Sequence, residues 1–298
     1  MAVPSSIVGS TTGPFHHEVD ARWVMAYSAG LGDLNPCYLD TRRPEGVVAH
    51  PVFAVCPEWP VIVASRDAAN KAGMADDEVR RGVHATHDLT VHRLARPGDV
   101  LTTTLTTVGL EQRSPGAYST IRLETVDANG EPVSTTEQGS IYLGVDVEGE
   151  NIVPIPARTP IPKSVLQPGV THKPEIEVPI AVGAGAAHLY TECARIWNPI
   201  HTDPLVAAAA GLPGLILHGT ATLAHAVSSV VDQVADGDPH RVRRIVGRFG
   251  AMVRMPSRIT VKIFEPSADG NELVVPVEVM NDQGSKAVDR AAVVLELP

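Results

Sequence analysis

The sequence has few cysteines and no long apolar run, and each shortage excludes a class of protein. Its three cysteines are too few and too scattered for a disulfide framework or a zinc site, and they favour a reduced compartment. No apolar stretch reaches the roughly 18 residues that a bilayer requires. The N-terminus also lacks the basic flank and the apolar core of a signal peptide. We therefore expect a cytoplasmic protein that makes no contact with a membrane.

Aromatic residues and positive charge are also scarce. Aromatic residues make up 4% of the 298 residues and hydrophobic residues 44%, so the core must consist mainly of Val, Ala, Leu and Ile. The formal net charge of −10 argues against a nucleic-acid-binding protein, which usually has a basic surface. His84, His87 and His92 are spaced by three and five residues in a strand-like segment, which does not place them on one face. We expect no metal site there.

The most informative stretch covers residues 190–221 and reads YTECARIWNPIHTDPLVAAAAGLPGLILHGTA. It contains an Asn-Pro-x-His sequence, an alanine-rich run, and a Leu-His-Gly sequence that ends at Gly219. Apolar residues then recur at helical spacing and predict a helix over 219–234. The backbone N–H groups at such a helix start are free to bind an oxyanion.

The first half of the chain contains a second copy of this motif. Residues 27–40 read YSAGLGDLNPCYLD and residues 190–203 read YTECARIWNPIHTD, and the two align without a gap at an offset of 163. His50 then corresponds to His218 after a slightly longer insertion. A proline-rich segment lies between the copies. The repeat predicts an N-terminal domain at 1–148, a linker at 149–179 and a C-terminal domain at 180–298.

Each half is predicted to contain a helix, a loop, a second apolar helix and several strands. Strand-like runs cover 83–94, 101–108, 117–126 and 132–143 in the first half, with a hairpin turn at 127–130. A long apolar helix followed by a meander of strands favours a sheet wrapped around that helix. We therefore predict the α+β class, with one antiparallel sheet and one central helix in each half.

The motif set resembles that of the MaoC-like dehydratases, which include the R-specific enoyl-CoA hydratases. The residues that carry the resemblance are Tyr190, Asn198-Pro199, His201, Asp203-Pro204 and His218-Gly219, together with Gly32-Asp33 and Asn35-Pro36 in the first copy. The two-copy arrangement is similar to that of the double hot-dog members. The resemblance implies hydration of a 2-enoyl thioester or dehydration of a 3-hydroxyacyl thioester. Coenzyme A or phosphopantetheine would enter only as part of the substrate, and no other cofactor is expected.

The resemblance also implies roles for individual residues of the second copy. His201 would be the catalytic acid or base, Asn198 would shape the loop, and the N–H of Gly219 would hold the thioester oxygen, with His218 beside it. The position of the family's aspartate holds Ile196. Glu192, four residues earlier, is one candidate for a replacement carboxylate, and Trp197 is a candidate acyl contact.

The first copy keeps the aspartate as Asp33 but has Tyr38 at the position of the histidine and Pro51 at that of the glycine. Asp33 is therefore a candidate acid or a relic, and Tyr38 is predicted to lie in an acyl-binding half. Among the arginines of the run 240–249, Arg244 and Arg248 are candidates for a carrier phosphate, although a solvated strand edge explains them equally well.

Two other functions stay open at this stage. Ile196 and Pro51 favour a thioester-binding protein without hydratase chemistry, acting as the non-catalytic partner of a second hot-dog subunit. A different carbonyl reaction that uses His201 without the aspartate is the third reading. An acyl carrier protein is a possible partner, and open sheet edges are compatible with a homodimer.

Overall fold

The computed structural model describes residues 2–71, 73–166 and 173–297. Residues 167–172 of the predicted linker lie outside the described residues. The chain divides into two compact units. Unit 1 comprises Met1–Glu18, Pro57–His92 and Val100–Pro160, and unit 2 comprises Val19–Cys56, Arg93–Asp99 and Ile161–Pro298. Residues 27–40, the first copy of the motif, therefore lie in unit 2 together with the second copy at 190–203. The helix that leads into the first copy packs on the helix that leads into the second. The repeat boundaries themselves stay a prediction.

Eight α-helices are found in the described residues. They are α1 (Ala21–Leu31), α2 (Pro36–Leu39), α3 (Val55–Lys71), α4 (Asp76–Val79), α5 (Lys163–Leu166), α6 (Ala186–Ala194), α7 (Pro204–Ala209) and α8 (Gly219–Val234). The bounds of α8 coincide with the predicted helix at 219–234. Nine of its sixteen residues are buried, including the four consecutive residues 221–224, so the helix is enclosed on more than one narrow face.

The strands of unit 1 form an antiparallel sheet in the order β2, β4, β5, β6, β3, and a short parallel pair of β1 and β7. Their bounds are β1 (Ala2–Pro4), β2 (Thr11–Glu18), β3 (Gly82–Val91), β4 (Val100–Arg113), β5 (Gly116–Val126), β6 (Pro132–Leu143) and β7 (Asp146–Glu148). Buried and partly exposed residues alternate along β4, as in a sheet with one face on a core. The predicted strands of the first half are confirmed.

A carboxyl group is buried in the core of unit 1. Glu58 of α3 is 1% exposed and accepts a hydrogen bond of 2.5 Å from the hydroxyl of Thr136 on β6. Leu105 and Leu123 of the sheet pair with each other, and Leu123 pairs with Thr136. Burial raises the pKa of Glu58 to about 8, so the group is a neutral acid at neutral pH.

Unit 2 contains an antiparallel sheet in the order β9, β13, β12, β10, β8, with β11 paired to β12. The strands are β8 (Ile176–Val182), β9 (Val242–Phe249), β10 (Ser257–Ile263), β11 (Ser267–Asp269), β12 (Glu272–Met280) and β13 (Lys286–Glu296). Helix α8 packs on this sheet, and its buried Leu223, Val227 and Val230 contribute to the core. Its N-terminus therefore has a fixed position relative to the second motif.

None of the helices in the described residues is long and apolar enough to cross a membrane. Within the same residues, no group of three or more His, Cys, Asp or Glu side chains is arranged to hold a metal ion.

Candidate active site

The motif loop of the second repeat starts where α6 ends. Arg195, the residue after the helix, has a left-handed backbone with φ of 59°, and Gly32 has φ of 74° at the same place in the first repeat. The next amide donates back to the helix in both copies, from Ile196 to Thr191 (3.1 Å) and from Asp33 to Ser28 (2.9 Å). The two loops therefore share one backbone path. Arg195 tolerates the conformation that a glycine normally supplies, and its guanidinium lies 4.0 Å from the centroid of the Trp23 ring.

A short 3-10 helix at Pro199–His201 follows, and Asp203 then starts α7. The Asp203 carboxylate accepts hydrogen bonds from the amides of Leu205 (2.8 Å) and Val206 (3.3 Å), so it is a helix cap, as the position before a proline indicates. The carbonyl of Asn198 accepts the amide of His201 at 3.2 Å, whereas its side chain does not cap the turn. Asn198 thus shapes the loop through its backbone.

His201 is held in one orientation by its Nδ1 atom. Nδ1 lies 3.0 Å from the carbonyl oxygen of Ile216, and a carbonyl can only accept, so Nδ1 carries the proton. Nε2 is then the unprotonated nitrogen and has no hydrogen-bond partner among the described residues. Burial lowers the pKa of His201, which favours the neutral imidazole.

His218 lies directly against His201 and begins α8. The two rings stack with centroids 3.7 Å apart and planes 26° apart. The Nε2 atom of His218 lies 3.2 Å from the hydroxyl of Thr191. Burial lowers the pKa of His218 to about 2, so this ring is neutral and does not repel a proton on His201.

Gly219 is the first residue of α8, and its amide has no acceptor among the described residues. A Cβ atom at this position would lie 3.0 Å from the ring of Phe249, so a larger residue would require that ring to shift by a few tenths of an ångström. The helix start therefore presents a free N–H next to the stacked histidines. This is the arrangement that binds a carbonyl oxygen on which negative charge develops.

The other predicted residues of this loop make no hydrogen bond to His201 within the part of the chain that the structure describes. Ile196 is 5% exposed and occupies the carboxylate position with an apolar side chain. Glu192 lies on the exposed side of α6, and Trp197 is 59% exposed. No carboxylate among the described residues hydrogen-bonds to His201. The role of Glu192 as a replacement acid stays a prediction without a contact to support it.

Hydrogen bonds hold the loop of the first repeat against α8. The hydroxyl of Ser228 donates to Asp33 at 2.6 Å and lies 3.1 Å from Nε2 of His50. Nδ1 of His50 accepts the amide of Val52 at 3.1 Å, so Nε2 carries the proton and donates to Ser228. The side-chain amide of Asn35 donates to the carbonyl of Gly237 at 2.8 Å. Asp33 is thus part of a buried network rather than a partner of His201.

The two copies remain symmetric in their ring packing. Tyr38, fully buried, lies against His50 with ring centroids 5.4 Å apart, as His201 lies against His218. The hydroxyls of Tyr27 and Tyr190 are 3.4 Å apart, and Tyr190 also donates to Thr220 at 3.1 Å. These two tyrosines are aligned at the offset of 163 between the repeats, which itself stays a prediction. Tyr38 is packed inside unit 2, and its role in substrate binding stays a prediction.

The arginines of β9 are already engaged by other groups of unit 2. Arg248 makes two bonds to the carboxylate of Asp289, Arg243 bonds to Glu296, and Arg244 is 5% exposed and has interactions of its own. Carboxylates therefore already engage Arg243 and Arg248, and the burial of Arg244 disagrees with the expected solvated strand edge. These contacts leave the proposed role of Arg244 and Arg248 in phosphate binding without support.

Sequence reasoning missed Ile216, Thr191 and Ser228. The carbonyl of Ile216 orients His201, and a backbone group has no signature in a sequence. Thr191 and Ser228 act on histidines that are 27 and 178 residues away in sequence. The only available signal was the alignment of the repeats, which pairs Thr191 with Ser28 and His218 with His50.

Comparisons with known proteins match the two halves of the chain separately. The family profile of the MaoC-like domain matches residues 166–282. A FAS1-like dehydratase domain region matches residues 6–136.

Among curated proteins, an enoyl-CoA hydratase from Mycobacterium tuberculosis is 35% identical over 104 residues, which are 35% of each chain. Peroxisomal multifunctional enzyme type 2 from Drosophila melanogaster is 28% identical over 166 residues, which are 56% of this chain and 27% of that enzyme. The matches therefore span about a third of the length of these relatives or less.

Solved structures match nearly the whole chain at low identity. A MaoC-like dehydratase from Phytophthora capsici superposes with a TM-score of 0.78 at 20% identity and covers 98% of this chain and 96% of its own. A Mycobacterium tuberculosis protein described as a double hot-dog fold has a TM-score of 0.61 at 16% identity, with coverage of 97% and 96%. The fold of this chain is of the double hot-dog type, as the repeat predicts.

Proposed function

We propose that this chain hydrates a 2-enoyl thioester or dehydrates a 3-hydroxyacyl thioester, on the premise that residues 166–282 match the MaoC-like domain and residues 6–136 a FAS1-like dehydratase region. The curated relatives named as enoyl-CoA hydratases support this reaction class. The reaction uses no metal and no organic cofactor beyond the carrier of the acyl group.

The single observation that carries the proposal is the state of His201. Its Nδ1–H is fixed on the carbonyl of Ile216, its ring is neutral because burial lowers its pKa, and its Nε2 is free to accept a proton. A general base must be unprotonated and must be held within reach of the water that it activates. The lowered pKa of His201 supports the first requirement, and its fixed ring orientation supports the second.

In the proposed hydration, the residues of this site account for every proton that is moved. Nε2 of His201 takes one proton from water while the water oxygen bonds to the β-carbon of the enoyl thioester. The electrons of the double bond move toward the thioester oxygen, and the N–H of Gly219 donates to that oxygen. The imidazolium then returns the proton to the α-carbon, which restores neutral His201 and releases the 3-hydroxyacyl thioester. Dehydration is the reverse sequence.

The test is the hydration of a short 2-enoyl-CoA by the purified chain. The reaction is monitored through the loss of absorbance of the enoyl group. His201→Gln keeps a similar volume and the capacity to hydrogen-bond to Ile216 but cannot act as a base. We expect kcat to fall by about a hundredfold or more, the usual contribution of a positioned acid or base.

His16→Gln is the matched control, because His16 is an exposed histidine on β2 of unit 1. It should retain the wild-type rate. Equal rates for wild type and His201→Gln would remove His201 from the mechanism.

A thioester-binding protein without turnover is the second candidate, and the burial of Ile196 at the carboxylate position favours it. In that case the chain would bind acyl-CoA and would gain turnover only with a catalytic hot-dog subunit. A different carbonyl reaction at His201 is the remaining alternative.

We also propose that the chain acts in the cytoplasm, on substrates carried by coenzyme A or by an acyl carrier protein. The three scattered cysteines and the acidic surface charge support a reduced, aqueous setting. Homodimerisation through open sheet edges is a further proposal, which the mass of the particle in solution would test.

A further inference from the structure

A short backbone ladder fixes one arginine beside the candidate active site. The amide of Leu217 donates to the carbonyl of Val253 at 2.8 Å, and Ile216 pairs with Arg254 in an antiparallel bridge. Ile216 is also the residue whose carbonyl holds His201. Arg254 is therefore one backbone pairing away from the group that orients the proposed base.

The segment that carries Arg254 is anchored at three consecutive carbonyls. The oxygen of Met252 accepts from the side chain of Asn281 (3.0 Å), that of Val253 from Leu217, and that of Arg254 from the hydroxyl of Ser257 (2.6 Å). The side chain of Val253 is buried and that of Arg254 is exposed. The backbone thus presents the guanidinium to solvent from a fixed position.

Arg254 also differs in its charge environment from the arginines of β9. Carboxylates of unit 2 neutralise Arg243 and Arg248, whereas Arg254 forms no ion pair within the residues that the structure describes. The chain as a whole has a formal charge of −10 and repels a polyanionic ligand. A ligand that carries phosphate needs a local unpaired cation, and a guanidinium matches phosphate geometry with two parallel N–H groups.

We infer that Arg254 binds a phosphate of the thioester carrier, either of coenzyme A or of protein-bound phosphopantetheine. The inference rests on the proposed function, since it assigns the carrier end of the same substrate. Its consequence is that Arg254 contributes to the recognition of the carrier and not to the chemistry at the double bond.

The test compares two thioesters of the same 2-enoyl acid, one with coenzyme A and one with N-acetylcysteamine, which has no phosphate. For Arg254→Ala we expect kcat/KM to fall roughly tenfold with the coenzyme A ester, as the loss of one charge-assisted hydrogen bond predicts. The fall should appear in KM and should shrink as the salt concentration rises. The N-acetylcysteamine ester should be turned over at the wild-type rate, and Arg254→Lys should recover part of the loss.

Arg96→Ala is the matched control, because Arg96 is an exposed arginine of unit 2 outside this ladder. It should leave both substrates unaffected. An equal loss with both thioesters would assign Arg254 a structural role, and an unchanged KM for coenzyme A would also overturn the inference.

Failure of the proposed function is recognised separately, because a wild-type chain that turns over neither ester lacks the activity. Calorimetric binding of free coenzyme A to wild type and Arg254→Ala then decides the inference. Weaker binding by the variant supports it, and equal binding overturns it.

Discussion

Burial sets the protonation state of His201, and this has a direct consequence for the pH dependence of the proposed reaction. The neutral form is the base, and burial lowers the pKa of the group below its usual value near 6.5. The rate should therefore stay constant as the pH falls through 6.5 and should decline only at more acidic values. The acid limb of kcat/KM, measured with a 2-enoyl-CoA, checks this. A limb centred above 6.5 would contradict the neutral, buried state of His201.

Ile196 is the residue at which the second loop differs most from the first. Its amide makes the same hydrogen bond as that of Asp33, so an aspartate at 196 would start from the same backbone position. We expect Ile196→Asp to raise kcat about a hundredfold, because a carboxylate next to His201 supplies the second acid–base group of the family. The same change should lower stability by about 1–3 kcal/mol, since it buries a polar group in an apolar site.

Ile196→Asn separates the two effects of this substitution. Asparagine has the shape of aspartate and a similar burial cost, but it cannot exchange a proton at neutral pH. It should lose stability without any gain in rate, as measured by urea unfolding and by the enoyl-CoA assay. A rate gain in the asparagine variant as well would point to polarity or space at the site, and not to a carboxylate.

Ser228 on helix α8 connects that helix to the loop of the first repeat that contains Asp33. Its hydroxyl bonds both Asp33 and His50, and both of those side chains are almost fully buried. Ser228→Ala leaves a buried carboxylate and a buried imidazole without this partner. We expect a loss of about 1–3 kcal/mol in the free energy of unfolding, measured in urea.

Ser229→Ala is the control on the same helix. The Ser229 hydroxyl bonds only the carbonyl of His225 one turn earlier, an interaction that slightly destabilises helices. Its loss should change stability much less than the loss of Ser228. Equal effects of the two variants would mean that the Asp33–Ser228–His50 network does not stabilise the fold.

Helix α3 contains a buried carboxyl group, Glu58, that stays protonated at neutral pH because its pKa is raised. The pKa of Glu58 is about 8 in the folded chain, against about 4.5 when exposed. A raised pKa contributes stability that is fully present below 4.5 and is lost as the pH rises through 8. Glu58→Gln, which keeps the shape and never ionises, should therefore be more stable than wild type at pH 9. Urea unfolding of both proteins at pH 6 and pH 9 checks this. If Glu58→Gln and wild type differed in free energy of unfolding by the same amount at both pH values, the prediction would be contradicted.

For the whole molecule, periodicity and turn signals predicted the helix at 219–234 and the strands of the first half. These features depend on local spacing. The partners of the site residues did not follow from the sequence. A backbone carbonyl orients His201, one carboxylate from a neighbouring strand engages Arg248, and Asp33 bonds a serine 195 residues away. Such contacts depend on how distant segments pack.

Buried histidines contribute to the pH response of the part of the chain that the structure describes. Burial lowers the pKa of six of them: His50, His84, His87, His201, His218 and His225. A lowered pKa means that the unfolded chain binds more protons below pH 6.5, so this stability is present above 6.5 and is lost as the pH falls. Each group contributes a loss of up to about 1.4 kcal/mol per pH unit, and Glu58, whose pKa is raised, acts in the opposite direction. We therefore expect the free energy of unfolding to fall steeply between pH 6.5 and pH 5.

His87→Gln tests the origin of this slope, because His87 is 1% exposed and its pKa is about 4. The variant removes one titrating group. The slope of unfolding free energy against pH should therefore decrease by the amount that corresponds to about one bound proton, about 1.4 kcal/mol per pH unit, whatever the variant does to stability at pH 7.5. His16→Gln, at an exposed position, should leave the slope unchanged. A slope that is identical in wild type and His87→Gln would mean that protonation of His87 does not differ between the folded and unfolded chain, and that the acid response arises from other groups.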